Sequence, residues 1–516
     1  MIINIILLCL FIFISFFNNV FSLSINNTAF NNIFLSLNYN FHSSFFLIML
    51  FICGFISIIF SLHYFNWENN NLNLLVILFL SIMCFLVSVN DLYNCLIGWE
   101  YLGFVSFLLI LYYSNYDTSR AANITLVSSR FGDVGLFVIL GLFLNFLYYN
   151  NTLFFLVSLF FIIATKSAIF PFSSWLLEAM RAPTPVSCLV HSSTLVAAGI
   201  WFFINFYYIL STNFIFIILI LEILTIIISS FSALILLDVK KLVALSTCNN
   251  VSWCFIYYIL GNLELCLIQI ISHGIAKCML FCVMGDNLVV SGSSQLNSSL
   301  FNLHFINSIN LIIPSLLIFF LSGLPYLGVF FSKHLLLSFN LLNTPYNIFI
   351  QILLYFCVFL TYCYSFRLYF LITNIYSGLS SGIVISYTLC SIFILLSTIY
   401  NFFLINSLEE FGYLDYNSCY LVLLIQILGF FVGNIMNNNI NNEFGLNFFG
   451  QDLLIFFNNN IISIFNSFFL ILSSFRLERF LNNISFNLNL FSVSLLNAIS
   501  LMLFSLVLIF FYIFLF

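Results

Sequence analysis

Charge is what this sequence has least of. Lys, Arg, Asp and Glu make up 5% of its 516 residues, where soluble domains carry about 25%. So few charges cannot solvate a water-facing surface, so a sizeable soluble domain is excluded. A nucleic-acid-binding face is excluded with it, because such a face needs clustered lysines and arginines. No lysine or arginine precedes Arg120. The run 1–22 therefore lacks the basic flank of a secretory signal and the arginines of a transit peptide, and reads as a first membrane span. The 14 cysteines include no CxxC pair, which excludes the common zinc and iron–sulfur frameworks. They are scattered, as at Cys9, Cys84, Cys266 and Cys363, and most read as small apolar filler. No glycine-rich phosphate loop or dinucleotide fingerprint occurs. The chain is expected to bind no metal and no cofactor itself, so any redox chemistry must sit on a partner.

What is present is apolar surface. Hydrophobic residues make up 63% of the chain, 71 of them Phe, and mean hydropathy is +1.18. The apolar runs are about 20 residues long, which suits membrane-spanning helices and not the short alternating strands of a barrel. The expected fold is an all-α polytopic membrane protein in a lipid bilayer. Spans are expected near 1–22, 43–65, 72–90, 92–113, 121–148, 152–180, 185–210, 214–237, 240–260, 262–290, 308–340, 346–375, 382–407, 415–436 and 490–516. The Asn-rich pieces 24–40, 66–73 and 435–451 read as loops.

Proline is scarce, and its placement is informative. Three of the six prolines, Pro171, Pro183 and Pro185, lie in KSAIFPFSSWLLEAMRAPTPVSCLVHSST, residues 166–194. A proline lacks an N–H and clashes with the preceding turn, so the span 152–180 should break near Pro171 and the chain restart near Pro185. Pro325 should break 308–340 in the same way. The chain then divides into 1–71, a five-helix unit 72–210, a second five-helix unit 214–375, further spans 382–436, the segment 451–485 and a last span 490–516. An odd number of spans inverts the second unit relative to the first, the arrangement of an inverted-repeat transporter. The segment 451–485 carries too short an apolar stretch to span, and reads as an amphipathic helix lying along the membrane or against other subunits.

A charge at membrane depth costs roughly 2.5–3.5 kcal/mol on insertion scales, so each one present needs a reason. Glu100 sits in an apolar span, and Lys166 is the obvious cation for it. Burial favours the neutral form of an acid or an amine, and a nearby opposite charge favours the ionised form. A Glu–Lys pair whose separation changes is therefore a proton switch; the other reading is a static buried ion pair. Arg130 and Asp133 are helix neighbours, and Asp133 is placed to face the Glu100–Lys166 pair, with a local salt bridge as the plainer reading. Glu178 is a secondary candidate. His191 lies beside Ser192, Ser193 and Thr194, which can hold waters. His273 and Lys277 share a helix face, and Lys333 follows the second break; together these read as a relay. Asp238, Lys240 and Lys241 read as a turn, and Asp286 as the end of a span.

Six strings carry a resemblance: GWEYLGFVSFLLI at 98–110, RFGDVGL at 130–136, ATKSAIFPFSSWLLEAMRAPTPVSCLVHSSTLVAAGI at 164–200, DVKKLVALST at 238–247, SHGIAKCMLF at 272–281 and SGLPYLGVFFSKHLLL at 322–337. Over about 90–340 the chain resembles the antiporter-like membrane subunits of respiratory complex I. The tail 451–516 resembles the subunit-5 branch of that family. The resemblance implies a proton channel along a polar axis, with Glu100, Lys166, His191, His273, Lys277 and Lys333 at the functional positions. It implies the mitochondrial inner membrane as location. It implies NADH, FMN, iron–sulfur clusters and ubiquinone on partner subunits, and a sister antiporter-like subunit as neighbour. The sequence departs from the family at Arg181 and His334, where the family usually carries acids, and is about one span shorter at its N-terminus. A stand-alone or Mrp-type cation/proton antiporter subunit, and a scaffold with inactive channels, are the competing readings.

Overall fold

The computed structural model describes residues 23–26, 34–37, 41–65, 70–89, 91–144, 153–207, 210, 212–236, 238–291, 295, 301–302, 309–324, 327–343, 348–373, 376–377 and 416–439. The chain divides into two compact units, one of residues 1–21 and 37–452 and one of residues 22–36 and 453–516. The expected spans 1–22, 382–407 and 490–516 and the segment 451–485 lie outside the described residues.

The larger unit is a helical bundle. Its helices are α1 (Phe41–Tyr64), α2 (Asn70–Ser88), α3 (Leu92–Ile110), α4 (Tyr116–Leu144), α5 (Leu153–Ser167), α6 (Ser174–Ala179), α7 (Thr184–Leu189), α8 (Leu195–Asn205), α9 (Thr212–Ile235), α10 (Val239–Ile259), α11 (Leu263–Val290), α12 (Ile309–Ser322), α13 (Val329–Asn343), α14 (Ile348–Thr373) and α15 (Tyr416–Asn439). Among the described residues, nine helical segments are long and apolar enough to cross a membrane. Four strands of two to four residues accompany the helices and leave the all-α class unchanged. β1 (Leu23–Asn26) pairs with β2 (Phe34–Leu37), and β3 (Phe301–Asn302) runs parallel to β4 (Tyr376–Ser377).

Each five-helix run carries its break in the fourth helix. In the first run α5 ends at Ser167, Ala168 adopts a left-handed φ of 58°, and Ile169 N–H returns to Ala164 O at 3.2 Å. This is a Schellman-type stop with alanine where glycine is usual. Pro171 follows it and prevents the helix from resuming. A 15-residue α5 rises roughly 22 Å, short of the ~30 Å hydrocarbon core, and α6 continues the path after the break. In the second run α12 ends in the same way: Gly323 has φ 82°, and Leu324 N–H bonds Phe319 O at 3.2 Å. Pro325 itself lies outside the described residues.

After Pro183 at its N-cap, α7 starts at Thr184 with Pro185 in the first turn, where the missing N–H costs nothing. Residues Val190–Thr194 form a π-helical turn before α8. The most enclosed apolar stretches are those of Thr184–Asn205, α10 and α11, at 100%, 94% and 100% buried, while that of α2 is 39% buried. Lys240 lies on α10, and Gln269, His273, Lys277 and Asp286 lie on α11.

Candidate functional site

Among the described residues four lysines are buried, alongside Asp133, Glu222, Asp286 and Arg367, and neutral oxygens hold the lysines. Lys166, two residues before the first stop, is buried and donates to Trp99 O at 3.4 Å, with its ammonium 5.5 Å from the Trp99 ring centroid. Lys277 on α11 donates to Val243 O at 3.1 Å and to Ser246 Oγ. Lys333 on α13 donates to Ser322 O at 2.7 Å and lies 3.3 Å from Thr361 Oγ1. Ser322 is the last residue of α12, so the lysine of one half-helix takes a carbonyl freed by the end of the other, where a cation is also favoured by the helix dipole. Tyr362 OH takes the next one, Gly323 O, at 2.8 Å. Among the described residues, none of the three ammonium groups makes an ion pair.

The expected Glu100–Lys166 pair is therefore not a direct contact. Glu100 is half-buried on α3, one residue from the carbonyl that Lys166 uses. The carboxylate acting most strongly on Lys166 is that of Asp133, which also senses Glu100. Asp133 is buried, and its Oδ2 accepts from Arg130 Nη1 at 3.1 Å while the guanidinium is half-exposed. Glu178 belongs to a separate surface cluster: Arg181 pairs with it at 3.1 Å and with Asp117 at 3.0 Å.

His191 sits in the π-helical turn, fully buried, with its ring 6.0 Å from that of Trp175. Lys166 and His191 line one small polar cavity together with Ser106, Thr125, Ser128 and Thr165. A site with this many hydroxyls suits water. Ser192 donates to Cys188 O and Thr194 donates to Leu189 O at 2.9 Å, so both are tied to their own helix. The side chain of Ser193 lies outside the described residues.

The second run adds a buried strip. Gln269, His273 and Lys277 are spaced four apart on α11 and so share one face, and all three are buried. Gln269 Oε1 accepts from Ser332 Oγ at 2.6 Å, next to Lys333 in the chain. Gln269 Nε2 and His273 Nε2 have no hydrogen-bond partner among the described residues. Gln269 and Ser332 were not singled out by sequence; the spacing of four from His273 was the available signal.

Two readings of the sequence need correction. The sequence DVKK points to a turn at Lys240, and its neighbour Lys241 does pair with Asp238 at 2.9 Å. Lys240, however, is buried, donates to Ala182 O at 3.3 Å and acts electrostatically on His191. Successive helical residues point about 100° apart, so one lysine faces solvent and the other faces the core. Asp286 does not end its span. It lies inside α11, buried, 3.7 Å from His63 Nδ1 of α1.

A family model described as NADH:quinone oxidoreductase/Mrp antiporter, TM, matches residues 89–361. The chain belongs to this family. The matched segment contains Glu100, Lys166, His191, His273, Lys277 and Lys333. The chain is 33% identical to NADH-ubiquinone oxidoreductase chain 5 of Caenorhabditis elegans over 76% of its own length and 78% of the relative's. It is 30% identical to that of Ascaris suum over 86% and 84% of the two chains. Two solved structures share the fold. A chain of the Mrp complex from Dietzia sp. DQ12-45-1b superposes with a TM-score of 0.73 at 20% identity, over 89% of this chain and 56% of that one. A chain of the archaeal membrane-bound sulfane sulfur reductase, a respiratory membrane complex, gives 0.63 at 18% identity, over 83% and 90%. The chain is thus a multi-pass, antiporter-like membrane subunit of the chain-5 kind.

Proposed function

We propose that this chain is a proton-translocating subunit of respiratory complex I in the mitochondrial inner membrane. NADH oxidation and ubiquinone reduction occur on partner subunits that carry the flavin and iron–sulfur clusters. Their free energy moves protons through this chain along Glu100, Asp133, Lys166, His191, His273, Lys277 and Lys333. A sister antiporter-like subunit is the expected neighbour in the membrane.

The observation that carries this reading is the set of three buried lysines held by carbonyls and hydroxyls, with no carboxylate at ion-pair distance among the described residues. A lysine in a permanent ion pair is locked in its charged form. One held by neutral acceptors can lose its proton and regain it without leaving a buried carboxylate unpaired. Asp133 acts on Lys166 as a charge that biases this exchange, and Glu100 acts in turn on Asp133. The water-sized cavity between Lys166 and His191 gives the proton a way onward. Gln269 and Ser332 join the Lys277 strip to the Lys333 site. The half-helix ends provide polar backbone at depth, which is tolerated only against protein or water.

The fold shared with the Mrp chain favours one other reading, a cation/proton antiporter subunit without redox partners. Solubilising the native membrane in mild detergent and isolating the complex that contains this chain separates the two. Co-isolation of flavin and iron–sulfur proteins with NADH-oxidising activity is the expected result. A complex free of both would replace the proposal with the antiporter.

A further inference from the structure

Four of the cysteines meet at one place in the bundle, and the proton path uses none of them. Cys188 on α7 lies with its sulfur 2.9 Å from that of Cys278 on α11 and 3.6 Å from that of Cys282. Its S–H also points at Cys278 O, 3.2 Å away. Cys278 in turn approaches Cys53 O of α1 at 3.7 Å. All four side chains are 0% exposed. Cys278 and Cys282 are four apart and share one face of α11, so Cys188 is seated against two thiols at once. Even carbon atoms in good contact stay about 3.5–4.0 Å apart, so at 2.9 Å the first pair is closer than ordinary packing. A modest further approach reaches the bonding distance of about 2.05 Å.

The position matters as much as the distance. Cys188 lies three residues before His191, and Cys278 directly follows Lys277. A bond between them would tie the helix leading into the π-helical turn to the helix that carries the central lysine.

We propose that Cys188 and Cys278 form a peroxide-oxidisable dithiol whose disulfide locks α7 to α11 and slows turnover. The oxidant is hydrogen peroxide, which is uncharged and water-sized. The cavity lined by Lys166 and His191 brings a polar space of that scale to within a turn of Cys188. Isolated buried thiols are inert. Here any thiolate formed on one cysteine faces S–H donors on its neighbours. In the first step one sulfur attacks peroxide: an S–O bond forms, the O–O bond breaks, and the departing hydroxide takes the thiol proton to become water. The product is a sulfenic acid. In the second step the other sulfur attacks it: the S–S bond forms, the S–O bond breaks, and hydroxide leaves with the second thiol proton as water. Two thiols and one peroxide give one disulfide and two waters, and two electrons pass from sulfur to oxygen. Cys282 can then exchange with the disulfide and take the place of Cys278. The effect on turnover rests on the proton-translocation reading; the chemistry of the thiols does not.

The test uses the intact complex in its native membrane. After exposure to hydrogen peroxide, free thiols are blocked with N-ethylmaleimide, and the digest is mapped without reduction. The expected result is a peptide containing Cys188 linked to the peptide spanning Cys278 and Cys282. NADH:ubiquinone turnover should fall several-fold in parallel, and dithiothreitol should reverse both changes. A Cys188→Ala complex, or Cys188→Ser if the alanine variant assembles poorly, should keep its basal turnover and lose the part of the peroxide response that dithiothreitol reverses. Recovery of Cys188 and Cys278 as blocked thiols after peroxide would overturn the site. A linked peptide with the same turnover response in wild type and variant would overturn the lock. The mapping does not depend on proton transport, so failure of the proton-translocation reading would leave it standing.

Discussion

Lys166, Lys277 and Lys333 show how a residue's setting can be partly read from sequence. Their depth was legible, because a charge surrounded by apolar residues in a span has nowhere else to go. Their partners were not. Sequence pairs Lys166 with Glu100 by charge; the structure gives the ammonium the Trp99 carbonyl and places Asp133 as the dominant nearby acid. Backbone acceptors carry no signature in a one-letter code. Lys240 was missed for a related reason: DVKK marks a turn, and only the helix phase says which lysine turns inward. Lys166→Met is expected to abolish proton pumping in an assembled complex, and Glu100→Gln to reduce it severely. Both can be read by the quenching of a pH-sensitive dye in sealed membrane vesicles, with assembly checked on native gels. Wild-type quenching by either fully assembled variant would remove that residue from the axis.

At the scale of elements, the breaks were legible from proline, but the stops were not. Pro171 marks the region, yet the helix ends three residues earlier through the left-handed Ala168, and α12 ends at Gly323. A left-handed alanine is uncommon, and nothing in IATKSAIFP singles out that alanine as the stop. The π-helical turn at His191 also has no pattern in the sequence. One helix contact can be tested alone. α15 carries Gly429 and Gly433 four apart, the small-xxx-small spacing that lets membrane helices approach closely. A Cβ on Gly433 would stand 2.9 Å from Cys363 O and 2.9 Å from Phe366 Cβ on α14. Gly433→Leu should therefore push α15 from α14, at a cost of about 1–3 kcal/mol or more for overpacking. The expected readout is a lower melting temperature of the complex, with faster proteolysis around 416–439. An unchanged melting temperature would mean that α15 is not held by this contact.

For the whole molecule, composition alone decided the class: with so little charge and so much apolar length, no architecture but a helical membrane bundle fits. The division into two five-helix runs rests on span counts and break positions, because their near-absent sequence similarity hides any detail of correspondence. The tail 451–516 lies outside the described residues, and its role rests on sequence. Removing it is expected to lower the yield of assembled complex while leaving the lysine axis untouched, as native gels would report; full and stable assembly without it would refute a bracing role. On the proposed function, electron transfer elsewhere drives protons through this chain. The direct measurement is the number of protons moved per NADH oxidised, in vesicles reconstituted with purified complex, for wild type and for Lys277→Met. A lower ratio is expected in the variant at any electron-transfer rate it sustains. A fully assembled variant with the wild-type ratio at the wild-type rate would contradict it.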